Sequence, residues 1–138
     1  MNRICLNLLC TFFSVIVFTI HAQTPLASLH TKNKKSIKLY QEAEALIQQR
    51  KFNEAINLLN SIIFKDPTFP EPYFKTGSLF MLMGNKADAK RYFCKGSDVA
   101  PDVKAFAGAY YTAGELSYNE GEYDKAKTYF NYAINVKS

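Results

Sequence analysis

A chain of 138 residues, 48% apolar and 14% aromatic, holds enough material for one packed domain and not for several. Its formal net charge of +5 is mild and does not point to nucleic acid as a partner. With three cysteines, two of them in the leading apolar run, and two histidines, the composition excludes a disulfide framework and a metal site of several convergent ligands.

The chain opens on Met1-Asn2-Arg3, a short positive start, followed by an apolar run from Ile4 to Ile20 broken only by Cys, Asn, Thr and Ser. Ala22 then precedes Gln23-Thr24-Pro25. This layout resembles a secretory signal peptide over residues 1–22, cut after Ala22, and predicts export to the periplasm or cell envelope. The alternative is an uncleaved anchor, since the run lies at the lower limit for spanning a bilayer. Lys32, Lys34, Lys35 and Lys38 favour that alternative, because they outweigh Arg3 and positive flanks stay cytoplasmic. Residues 23–35 are polar, carry Pro25 and show no sustained period. They read as a flexible linker, and its one histidine, His30, has no evident reason to fold back.

From residue 36 onward the apolar spacing is helical. The first helix is expected over Ser36–Gln49 with Ser36 as N-cap, and its partner over Asn53–Lys65, stopped by Asp66-Pro67. Pro70 and Pro72 open the next helix. Gly84-Asn85 ends it, and Asn85 caps the fourth. Pro101-Asp102 repeats the stop and cap. Val103, Phe106, Tyr110, Ala113 and Ser117 then keep one face, which predicts a fifth helix about one turn longer than its equivalents. Gly121 breaks it, and Glu122–Lys137 forms the sixth.

These six helices repeat. Tyr73, Gly77, Phe80, Ala89, Phe93 and Pro101 are matched upstream by Leu39, Ala43, Leu46, Ala55, Leu59 and Pro67, and downstream by Tyr110, Gly114, Ala126 and Phe130. Ala55 to Ala89 is 34 residues and Ala89 to Ala126 is 37. The spacing resembles the tetratricopeptide repeat, although the family's tryptophan is missing from every repeat. The resemblance implies an all-α solenoid of three helix pairs over 36–138, with repeats of about 36–69, 70–103 and 104–138. The leader, linker and repeats together are similar to the N-terminal region of Bacteroidetes envelope proteins. Some of those continue into a propeller and a peptidoglycan-binding domain, so a fragment of such a protein is one alternative. A membrane-anchored receptor with its repeats in the cytosol is the other.

No catalytic set emerges, and neither an enzyme nor a cofactor is expected. Cys94 reads as a small buried hydrophobe. Glu115, Glu120, Glu122 and Asp124 read as a solvated helix junction rather than a calcium loop. Lys86, Lys90, Arg91 and Lys95 read as a solvated face rather than a phosphate site. Function is expected in the groove that, in this family, the first helix of each repeat lines. Carried over by position, its partner-binding residues are Tyr40, Glu44, Phe74, Ser78, Met81, Tyr111, Glu115 and Tyr118. Tyr40 and Phe74 fit a core role equally well. Family members that hold a peptide carboxylate use a lysine and asparagine clamp. The matching positions here, Tyr40, Glu44, Lys75, Gly108 and Thr112, supply one cation, so a peptide with apolar side chains is the expected ligand. Tyr129, Tyr132 and Val136 on the last helix lack an evident partner. They are expected to form a docking face for a second copy, a partner or a further domain.

Overall fold

The computed structural model describes residues 29–102 and 104–135. The expected leader, most of the linker, Val103 and Val136 lie outside the described residues. Helix α1 spans Lys34–Gln48, α2 Phe52–Lys65, α3 Pro70–Leu82, α4 Lys86–Val99, α5 Ala107–Asn119 and α6 Tyr123–Ile134. Among the described residues there is no strand. The helices pack as three hairpins, α1 with α2, α3 with α4 and α5 with α6, and α2 against α3 and α4 against α5 join the hairpins into one row.

Each helix exists because one stripe of it is apolar or small. In α2 the buried set is Ala55, Ile56, Leu59 and Ile62, and in α1 it is Ser36, Tyr40 and Ala43, both at helical spacing. Two cores result. One gathers Tyr40, Ala43, Leu59, Ile62, Phe69 and Leu79. The other gathers Phe74, Ala89, Phe93, Ala113 and Leu116.

The helices of a pair touch where one lacks a side chain. A Cβ on Gly77 would lie 2.9 Å from the Phe93 ring and 3.3 Å from the Ala89 carbonyl. A Cβ on Gly96 would lie 2.6 Å from Phe74, and one on Gly114 would lie 2.7 Å from Phe130. Each phenylalanine therefore occupies the space a Cβ would need on the facing helix, a fit that interior packing density leaves no room to relax.

The three hairpin turns share one geometry. Lys51 N donates to Leu46 O and Arg50 N to Ile47 O; Asn85 N donates to Phe80 O and Gly84 N to Met81 O; Glu122 N donates to Ser117 O and Gly121 N to Tyr118 O. This is the Schellman pattern, which needs a left-handed residue after the helix. Gly84 and Gly121 supply it at φ 80°, and Arg50 is forced into it at φ 60°. The first repeat thus carries a strained arginine where the other two carry glycine.

Besides one-residue shifts and the end of α6, which closes at Ile134 before the expected Lys137, two boundaries differ from expectation. Helix α1 starts two residues early, because Asn33 rather than Ser36 is its cap; Asn33 Oδ1 accepts from the Lys35 and Ser36 amides. Helix α5 is not lengthened. It has 13 residues, as α3 has. The three extra residues lie instead in the connection before it, which has seven residues against four between α2 and α3. Asp102 Oδ1 accepts from the Lys104 and Ala105 amides and folds that segment into a turn, so the helix begins only after Phe106.

We expect Gly77→Leu to cost about 3 kcal/mol, at the upper end of overpacking penalties. Thermal melts check this, and an unchanged midpoint would exclude the glycine–ring contact. Arg50→Gly should raise stability by about 0.5–1 kcal/mol, the left-handed penalty of a side chain less glycine's entropy. Denaturant unfolding reads that gain, and a loss would mean that Arg50 is not strained.

Candidate functional site

The first helix of each hairpin contributes to one open cavity of about 370 Å³. Helix α1 brings Tyr40; α3 brings Glu71, Phe74, Lys75 and Ser78; the approach to α5 and its first turn bring Ala105, Phe106, Gly108 and Ala109. The short α2–α3 connection places Pro70 and Pro72 at the start of α3. Their fixed φ suits a first turn and aims Glu71, between them, at the cavity.

The expected residues divide into three groups. Tyr40 and Phe74 line the cavity but are only 4% and 8% exposed. Tyr40 packs on Phe69 with ring centroids 5.5 Å apart, and burial, with Glu44 and Glu71 nearby, pushes its hydroxyl well above the ordinary value. Phe74 lies on Gly96 and touches Phe106 at 4.9 Å. Both rings are core members with one edge in the groove, so truncating either removes packing, typically about 3–5 kcal/mol for phenylalanine. Ser78 lines the cavity with its hydroxyl donating to the Phe74 carbonyl. Glu44 accepts from Lys75 Nζ at 3.2 Å, and that nitrogen lies 5.8 Å from the Tyr40 ring.

The third group, Met81, Tyr111, Glu115 and Tyr118, lies outside the cavity and is exposed. Tyr111, Glu115 and Tyr118 fall at i, i+4 and i+7 on α5, a stripe that continues from Gly108 at the cavity wall. Tyr111 rests on Phe130 and Tyr118 on Tyr123, each pair of rings 5.4 Å apart.

On the last helix, Tyr129 and Tyr132 do have partners. Both rings lie against Tyr110, at 6.4 and 5.5 Å, and Tyr129 packs on the second core. Burial and the Cys94 thiol raise the Tyr129 hydroxyl above its ordinary range. Of the expected docking face, Tyr129 is packed, Tyr132 keeps an exposed outer half beside the exposed Ile134, and Val136 lies outside the described residues.

The acidic and basic sets on the other side meet each other. Lys90 Nζ lies 2.6 Å from Glu120 and 2.7 Å from Glu122. Burial opposes the Lys90 charge, but the two carboxylates outweigh it and hold its pKa above the ordinary value. The Lys90 bond in turn holds the Glu122 carboxyl below the usual range. Arg91 pairs with Asp88 at 2.7 Å. The clamp ties α4 to the α5–α6 turn across a repeat boundary. Among the described residues no group of His, Cys, Asp and Glu has a metal-binding arrangement, and no helix is long and apolar enough to cross a membrane.

Three residues at the groove were not anticipated. His30, outside the helices, reaches Glu71 and Phe106. A signal was present for Phe106: Phe69 and Phe106 stand 37 residues apart, the repeat spacing, each just before a first helix.

The row of similar hairpins, their shared turn and the glycine–ring contacts define the fold as an all-α solenoid of tetratricopeptide repeats. A tetratricopeptide-repeat model matches residues 107–138. No curated protein sequence matches significantly. Among solved structures the chain is similar to MamA, at 24% identity and a TM-score of 0.61 over 74% of this chain and 58% of that one. It thus spans little more than half of MamA's length. It is also similar to the first TPR of Spaghetti (RPAP3) bound to the HSP90 peptide SRMEEVD, at 18% identity and a TM-score of 0.61 over 78% of this chain and 82% of that one. A third likeness is the Yersinia enterocolitica type III secretion chaperone SycD in complex with a peptide of the translocator YopD, at 20% identity and a TM-score of 0.58 over 72% and 73%.

Proposed function

We propose that the chain is a non-enzymatic scaffold that takes a peptide segment of a partner protein along its groove. The observation that carries this reading is the α5 stripe. Tyr111 and Tyr118 are 52% and 58% exposed on the helix face that continues from the cavity wall. Rigid amphipathic rings at a groove supply much of the binding energy in interfaces. Peptide complexes of similarly folded proteins, the Spaghetti TPR and SycD, support the general mode. The ligand is not held by its terminal carboxylate, because the one cation at the clamp positions, Lys75, is already bound to Glu44.

We further propose that the protein works in the cell envelope after removal of residues 1–22, as the leader's positive start, apolar run and Ala22 suggest.

Tyr111→Ala together with Tyr118→Ala should weaken capture of a partner from the native host at least tenfold with helicity unchanged, since each ring contributes on the order of 1–2 kcal/mol at an interface. Lys86→Glu with Lys95→Glu, exposed cations of the same helix outside the Lys90 clamp, should leave capture within about threefold, as rim charges do. Loss of capture in the charge variant alone would move the site to the other side. N-terminal sequencing of protein isolated from its source should begin at Gln23; an intact Met1 start would favour the membrane-anchored form.

A further inference from the structure

The five residues before α1 are not a free linker. Leu29 packs on the first core. The His30 amide donates to Glu71 Oε1 at 2.9 Å, and His30 Nδ1 lies 2.7 Å from the same oxygen. The imidazole rests against Phe106, ring centroids 4.8 Å apart. Thr31 Oγ1 donates to Asp66 at 2.8 Å, and Asn33 caps α1. The segment is strapped from the first hairpin to the third, and His30 sits against Glu71 and Phe106, two residues of the cavity wall.

Glu71 is an incompletely used acceptor. Its side chain is 12% exposed, one oxygen takes both bonds from His30, and Oε2 is buried with no partner. No lysine or arginine among the described residues pairs with it; the nearby Lys75 belongs to Glu44. A buried carboxylate with an open oxygen favours a donor that fills both. The Phe106 ring beside it favours a planar group that stacks.

We propose that Glu71 and Phe106 form a subsite for a peptide residue that offers a main-chain N–H and a planar N–H side chain, histidine or arginine. In the free chain its own His30 fills that subsite, so the strap Leu29–Asn33 acts as an intramolecular competitor of the partner peptide. An arginine fork satisfies both Glu71 oxygens where His30 satisfies one, which lets an incoming peptide displace the strap. This inference rests on the groove reading above and names one of its subsites.

The test uses fluorescent heptapeptides of residues 27–33 with His, Arg or Ala at the position of His30, titrated against the unaltered, His30→Ala and Glu71→Gln chains. The His and Arg peptides should bind the His30→Ala chain about tenfold more tightly than the Ala peptide does, the effect of one hydrogen bond to a buried charge. They should bind the unaltered chain about tenfold more weakly than the His30→Ala chain, and they should lose their advantage over Ala on the Glu71→Gln chain. Arginine above histidine assigns the fork; the reverse order assigns the imidazole. Equal binding of the Ala peptide, equal affinity for the unaltered and His30→Ala chains, or no binding to any chain at millimolar peptide overturns the subsite. Hydrogen exchange of the His30 amide reads strap docking without any ligand. Protection is expected, and exchange at the free-chain rate overturns the strap. A docked strap in a protein whose Tyr111/Tyr118 variant still captures its partner would instead overturn the groove reading and leave the strap standing.

Discussion

The contact on which the rest depends is a phenylalanine ring laid on a glycine of the facing helix. It occurs at Gly77 with Phe93, at Gly96 with Phe74 and at Gly114 with Phe130. Without a Cβ the two backbones approach until the ring fills the gap, and this sets the distance within each pair. Gly77 and Gly114 occupy matching positions on α3 and α5, so the second and third hairpins are built alike. The first substitutes Ala43 with Leu59 in the same register. Similar hairpins stack at similar offsets, and a solenoid follows from that repetition.

Stacking also needs each hairpin to be joined to the next. Tyr73 and Tyr110 do so near the connections, donating to the carbonyls of Pro67 and Ser97. The Lys90 clamp on Glu120 and Glu122 does so on the far side. Through Lys90 the cationic helix face and the acidic junction meet, while Arg91 pairs within its own helix with Asp88. The groove side carries exposed tyrosines on α5 and a carboxylate whose second oxygen has no partner.

The groove has two characters as a result. At the cavity, Tyr40 and Phe74 are core rings that show an edge, and Glu71 with Phe106 makes a polar corner held by the chain's own strap. Further along α5, Tyr111 and Tyr118 are exposed. On the proposed reading, the rings would supply affinity and the carboxylate selectivity.

Much of this was legible in the amino-acid sequence. The 34-residue period, the helix pairs, the Gly84 and Gly121 turns and the Asn85 cap all follow from patterns within a few turns of helix. Neighbours in sequence determine those interactions, so periodicity reveals them. Tertiary structure decided the rest. Whether Tyr40 and Phe74 bind or pack depends on which facing residue is small, and Gly96 answers that for Phe74 from another helix. The three extra residues went into a turn because Asp102 captured two amides before a helix could start. Arg50 took a left-handed turn because the hairpin around it demanded one. His30 reached Glu71 across 41 residues of chain, a meeting that no local pattern encodes, because only the stacking of the hairpins brings those two side chains together.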